Sequence, residues 1–171
     1  SAAERRERAG SGRPAALRLR APGTSVTVDD ELLGPVTALV DDVVLRRNDG
    51  VPAYNLAVVV DDAVQGIEQV VRADDLASSA PRQRHLATLL GLPPVRYAHV
   101  PLVLGPIGQR LAKRDGAVTL ADQRAAGRAP EEVCGLLAES LGLTDRRGPV
   151  APADLVATFD PAGLPAVTVW L

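Results

Sequence analysis

The stretch Pro52-Ala53-Tyr54-Asn55-Leu56-Ala57-Val58-Val59-Val60-Asp61, closed by Gly66 and continued by Ile67-Glu68-Gln69-Val70-Val71-Arg72, decides the fold. Proline has no N–H to lose in a first helical turn, so a helix is predicted from Pro52 to Asp61. Tyr54, Ala57, Val58 and Asp61 then share one face at helical spacing, although the β-branched run Val58-Val59-Val60 works against a helix. Gly66 ends the segment, and Ile67 to Arg72 reads as a strand.

Working outward, Ser78 and Ser79 before Pro81 open a helix that runs to about Leu90, where Gly91 stops it. Val100 to Leu104 reads as the next strand and Gly105-Pro106-Ile107-Gly108 as a turn. Upstream, Ala16 to Arg20 alternates apolar and cationic residues as a half-exposed strand, and Ser25 to Val28 is a second strand. Asp42 to Arg47 carries the buried run Val43-Val44-Leu45 into the turn Asn48-Asp49-Gly50. Residues 1–14 read as a helical turn and a linker. Past Lys113 the pattern turns helical, with Glu131 to Leu141 and Pro152 to Phe159 as helices and Cys134 on an apolar, core-facing stripe. Strands alternating with helices, then helices alone, predict an α/β fold with an α-helical appendix.

Composition narrows the function classes. The chain has 171 residues, 46% of them hydrophobic and 23% charged, with net charge −2. It is too apolar for a disordered tail and too balanced for a strongly basic nucleic-acid glove. No apolar run approaches the roughly 18 residues of a membrane span. The start is charged rather than secretory, so a cytoplasmic location is expected. A lone Cys134 rules out a disulfide framework or a cysteine metal cluster within these residues. Lys113 is the single lysine among 19 basic residues.

Four sets of residues carry candidate chemistry. Arg110, Lys113 and Arg114 place three cations within five residues beside a glycine turn, as a polyphosphate site requires; the competing reading is a solvated basic turn. Tyr54 on its helix and Arg72 at its strand end can converge where α/β sheets bind ligands, the arginine offering a fork to a carboxylate. The competing reading packs Tyr54 under the sheet and pairs Arg72 with Asp74 or Asp75. The doublets Asp61-Asp62 and Asp74-Asp75 suit Mg²⁺ ligation or helix capping, capping being the simpler. His99 is a cleft candidate with a structural alternative.

Read in order, Tyr54 to Asp62, Gly66-Ile67, Val70-Val71-Arg72, Pro81-Arg82-Gln83, Leu89 to Pro93, Tyr97, His99 to Leu102 and the Lys113 loop resemble the second half of the catalytic domain of glutamyl-tRNA synthetases. The loop looks like a degenerate form of the second class I signature, with Arg110 in place of its first lysine and Ala112 in place of its serine. Arg13 to Arg20, Val44 to Gly50 and Leu111 to Ala117 look most like the short branch of that family, which transfers glutamate to the queuosine base of tRNA(Asp).

The resemblance implies the second half of a Rossmann-like domain over residues 41–105. Residues 1–40 would end an insertion that binds the acceptor, and residues 106–171 would hold the signature loop and a helical stem-contact region. It implies that Tyr54 and Arg72 hold glutamate, that Lys113 acts on the ATP phosphates with Arg110 beside it, and that Mg²⁺ accompanies ATP. It also implies a first half with a His-x-Gly-His signature and a zinc cluster, neither of which these residues contain. A monomer, inactive without that half and with an apolar sheet edge left open, is therefore expected. Two other readings stay open: part of an enzyme charging tRNA(Glu), or a non-catalytic module that binds tRNA or protein.

Overall fold

Alternation of side chains along one hairpin sets the sheet. In β2 (Thr24–Asp30) the side chains of Val26, Val28 and Asp30 turn inward while Thr27 turns out. β3 (Gly34–Val40) returns antiparallel, with Val28 opposite Val36 and Thr27 opposite Thr37, whose hydroxyls meet at 2.8 Å. The computed structural model describes residues 14–21, 23–105, 119–145, 148–165 and 168–169, with the single positions 6, 10, 12 and 108. It divides the chain into two units, Ser1–His99 and Val100–Leu171.

In the first unit, β1 (Leu17–Arg18) pairs antiparallel with β4 (Val44–Arg46). The main sheet runs β3-β2-β6-β5, with β5 spanning Gln69–Ala73 and β6 spanning Arg96–Val100. β6 lies parallel to β2 through Asp30 and Tyr97. The segments 1–40 and 41–105 expected to differ in role thus share one sheet.

Helix α1 (Tyr54–Gln65) starts two residues later than predicted, because Pro52 is held in a bridge to Arg46. It also runs four residues past Asp61, to Gly66 at φ 68°, where Ile67 N–H bonds back to the Asp62 carbonyl. That cap uses Ile67, so β5 begins only at Gln69. The β-branched run stays helical because Val59 is buried among Val40, Val43, Leu86 and Ala87. A 3₁₀ turn (Asp74–Ser79) leads into α2 (Ala80–Leu90), which has Pro81 in its first turn and Gly91 left-handed at its end. α2 packs on β2 and β3, and α1 packs on α2.

The strand predicted over Val100–Leu104 is split. β6 ends at Val100 and β7 (Val103–Leu104) follows separately. Pro101 lies in the break and has no N–H for a ladder. Val71 of β5 is exposed, as are Val60 and Val64 of α1 and the adjoining Ile67.

In the second unit, β7 pairs parallel with β8 (Thr168–Val169). Helix α3 (Leu120–Ala125) is capped reciprocally by Thr119 and Asp122. In α4 (Pro130–Ser140) the Glu132 carboxylate accepts the Ala129 N–H at 2.7 Å. Its buried side is Val133, Gly135 and Ala138; the half-buried Cys134, expected on a core-facing stripe, and the exposed Leu137 lie off it. Small residues face inward because the Gly148 backbone lies against the helix. α5 (Pro152–Val156) is shorter than predicted and stops before Phe159. Among the described residues no helix is long and apolar enough to cross a membrane.

A Cβ built on Gly135 would stand 1.9 Å from the Gly148 carbonyl oxygen, a backbone atom that cannot swing aside. Gly135→Ala is expected to cost about 1–3 kcal/mol in the second unit. Hydrogen exchange should show protection falling along Pro130–Ser140 and unchanged along Tyr54–Gln65.

Candidate functional site

The cation at the end of β5 gathers the site. Arg72 is half-buried, and all three of its nitrogens donate to fixed acceptors. Its Nε gives a 3.0 Å bond to His99 Nε2, Nη1 a 2.9 Å bond to Gln83 Oε1, and Nη2 a 3.3 Å bond to the Leu76 carbonyl. The guanidinium carbon lies 5.3 Å from the centre of the Tyr97 ring, which in turn stacks on His99. An arginine carries five N–H donors, so three engaged leaves two for a ligand.

Behind Arg72, His99 is fully buried, with Nδ1 2.5 Å from the equally buried Asp30 Oδ2. Arginine cannot accept a hydrogen bond, so His99 Nε2 must be the bare nitrogen and Nδ1 must carry the proton donated to Asp30. Asp30 Oδ1 takes the backbone N–H groups of Leu32 and Leu33 at 3.0 Å each and of His99 at 3.2 Å. In front, Gln83 Nε2 donates to Asn55 Oδ1 at 3.1 Å, which ties the first turn of α1 to the same network.

The expected residues fall as follows. Arg72 sits at the centre. Hydrogen bonds join it to His99, Gln83 and the Leu76 carbonyl. Tyr54 is 59% exposed and so is not packed under the sheet. It makes no hydrogen bond to Arg72, and is joined to it through its neighbour Asn55 and Gln83. Lys113 and Arg110 lie outside the described residues. Asp74 and Asp75 open the 3₁₀ turn.

Among the described residues no three of His, Cys, Asp or Glu come together to hold a metal ion.

Sequence reading missed Asp30, and it passed over Gln83 and Asn55 without assigning them roles. The available signal was register, because Asp30 continues the inward series of Val26 and Val28. A carboxylate at such a position must be paired or bonded.

Several ionisations are shifted. Burial is the largest influence on Asp30 and pushes its carboxyl up, but the bonds from Leu33, His99 and Leu32 together hold it below the usual range. Burial pushes the Asp62 carboxyl up, opposed by Arg72 and aided by Asp61. Burial also raises the Tyr97 phenol, against the charges of Arg72 and Arg84.

A carboxyl more acidic when folded adds stability above its unfolded pKa of about 3.9 and loses it as pH falls through the folded value. Asp30→Asn should therefore weaken the fold at pH 7 and flatten its decline in stability below about pH 4. Urea denaturation across pH 2–7 checks both.

Comparison with known proteins gives concordant results. The family of tRNA synthetases class I (E and Q), catalytic domain, matches residues 1–146. The chain is 65% identical to a glutamyl-Q tRNA(Asp) synthetase of Nocardia farcinica over 165 residues, which are 96% of the chain and 52% of that protein. It is 47% identical to the protein of the same name from Symbiobacterium thermophilum, over 95% of the chain and 51% of that protein. A glutamate–tRNA ligase of Oleidesulfovibrio alaskensis is 43% identical over 78% of the chain and 29% of its own length. The chain thus spans about half the length of the glutamyl-Q tRNA(Asp) synthetases it matches.

Among solved structures, a glutamate tRNA ligase from Elizabethkingia meningosepticum superposes with a TM-score of 0.78 at 23% identity. That match covers 99% of the chain and 38% of the ligase, and at such identity it speaks to the fold alone. The α/β fold of a class I synthetase catalytic domain is the one observed.

Proposed function

For this chain, which belongs to the family of class I tRNA synthetases (E and Q) by its catalytic domain, we propose a part in an ATP-dependent ligase that activates L-glutamate and transfers it to queuosine at the wobble position of tRNA(Asp). The observation that carries this reading is Arg72, a cation fixed on three sides with two donors left. A planar fork of that kind suits a carboxylate, and a half-buried position strengthens the pairing. The choice of tRNA(Asp) is supported by the 65% identical relative of that name along 96% of the chain.

In this reading Arg72 and Tyr54 hold glutamate. Lys113, with Arg110 beside it, steadies the phosphates of ATP, which arrives with Mg²⁺ as substrate complex. A glutamate carboxylate attacks the α-phosphate in line and pyrophosphate leaves; the acyl group of the resulting glutamyl-adenylate then passes to the tRNA, and AMP is released. Lys113 bears the charge that develops on the phosphates, so its effect belongs to the transition state more than to binding. The enzyme works in the cytoplasm.

The 43% identical glutamate–tRNA ligase favours a second reading, glutamylation of tRNA(Glu). Glutamylation by the full-length protein separates the two. The primary reading requires product on tRNA(Asp) carrying queuosine and none on tRNA(Asp) lacking it or on tRNA(Glu).

Two variants test the residues. Lys113→Ala should slow ATP–pyrophosphate exchange at least about 100-fold without moving the unfolding midpoint. Arg72→Ala should raise the KM for glutamate about 10- to 100-fold while leaving that for ATP in place.

A further inference from the structure

Arg72 needs an orienting group, and the one it has is unusual in its charge. A carboxylate in direct contact would aim the guanidinium but also neutralise it, leaving little attraction for an anionic ligand. Here the orienting carboxylate, Asp30, is one imidazole away, while Asp62 lies within reach of the Arg72 charge outside this relay. His99 donates from Nδ1 to Asp30 and accepts at Nε2 from Arg72 Nε. The imidazole is neutral in this arrangement, because its two ring nitrogens have opposite roles. Orientation is passed on and the countercharge is held back.

The relay is rigid at its far end. Asp30 is fixed by three backbone N–H groups, those of Leu32 and Leu33 in the β2–β3 turn and that of His99 in β6. The Tyr97 ring covers the guanidinium on one side and stacks on the imidazole at an interplanar angle of 14°. Neither Asp30 nor His99 reaches solvent, with side chains 1% and 0% exposed.

We propose that His99, fixed by Asp30, is a positioning residue that aims Arg72 at the substrate carboxylate without bringing the Asp30 charge into contact with it. This rests on the reading that Arg72 holds glutamate. Gln83 completes the aim from another side by accepting from Nη1, so Arg72 is held at Nε and at Nη1.

Two substitutions at His99 separate positioning from mere packing. An asparagine amide falls near the Nδ1 position and keeps the Asp30 contact without reaching Arg72. A glutamine amide reaches the Nε2 position and can still accept from Arg72. In the full-length protein, His99→Asn is expected to raise the KM for glutamate about tenfold or more. kcat and the KM for ATP should change little, and His99→Gln should stay within about threefold of the parent. Equal effects of the two variants, or the reverse order, overturn the proposal.

Should both variants unfold, the unaltered protein still decides. Its long-range ¹H–¹⁵N spectrum at neutral pH must show His99 protonated at Nδ1 and bare at Nε2, and the opposite tautomer overturns the proposal. Arg72→Ala tells the two layers apart. An unchanged KM for glutamate in that variant removes the reading on which the proposal stands, whereas a raised KM there beside an unaffected His99→Asn removes the proposal alone.

Discussion

A buried carboxylate survives in a protein interior only when its lone pairs are met, and Asp30 is the place where this chain meets that constraint. Four donors surround it: two backbone groups of the β2–β3 turn, the backbone of His99, and the His99 ring. Those bonds close the turn, dock the end of β2 against β6 at the one point where the two strands pair, and fix the imidazole. The orientation of Arg72 follows from the imidazole, and the network through Gln83 to Asn55 follows from Arg72. Deleting one carboxylate would therefore leave several buried donors without partners at once. That is costlier than the loss of any single bond among them.

The parts of the fold legible in the sequence were those governed by local chemistry. Gly66 and Gly91 end their helices in the left-handed region, at φ 68° and 66°, where a side chain is disfavoured. Pro81 opens α2 where its missing N–H does no harm. Boundaries slipped where a tertiary contact claimed a residue, as the Arg46 bridge claimed Pro52 and the cap of α1 claimed Ile67. β3 passed unread because Leu39, 64% exposed, faces outward among inward Val36, Ala38 and Val40 and blurs the alternation. β6 was placed too late because Tyr97, Ala98 and His99 are all buried, so a central strand shows no alternation, and a histidine within it reads as polar.

The candidate site divides in the same way. Arg72 stood out as a cation at a strand end, and residue type alone suggested a carboxylate as its ligand. What holds it could not be read, since Asp30, Asn55, Gln83 and His99 come from four separate elements and no spacing rule connects them. Helix α4 shows the converse. Its apolar pattern suggested a core-facing stripe through Cys134, yet the close approach of Gly148 goes with a buried side of Val133, Gly135 and Ala138. Hydrophobicity proposes a face, but the partner's backbone decides which side chains fit it.

The convergence has a consequence for how substitutions in this unit are to be understood. The bonds that close the hairpin turn and those that aim Arg72 meet at one residue, Asp30. Stability and ligand recognition are then not separable by distance from the ligand. A change in the turn at residues 31–33 displaces the donors on Asp30 Oδ1, and a displaced Asp30 no longer selects the imidazole tautomer. With the other tautomer, Nε2 would present a proton to Arg72 Nε, and two donors facing each other would turn the guanidinium aside. A backbone turn with no contact to Arg72 thereby sets which way the arginine faces.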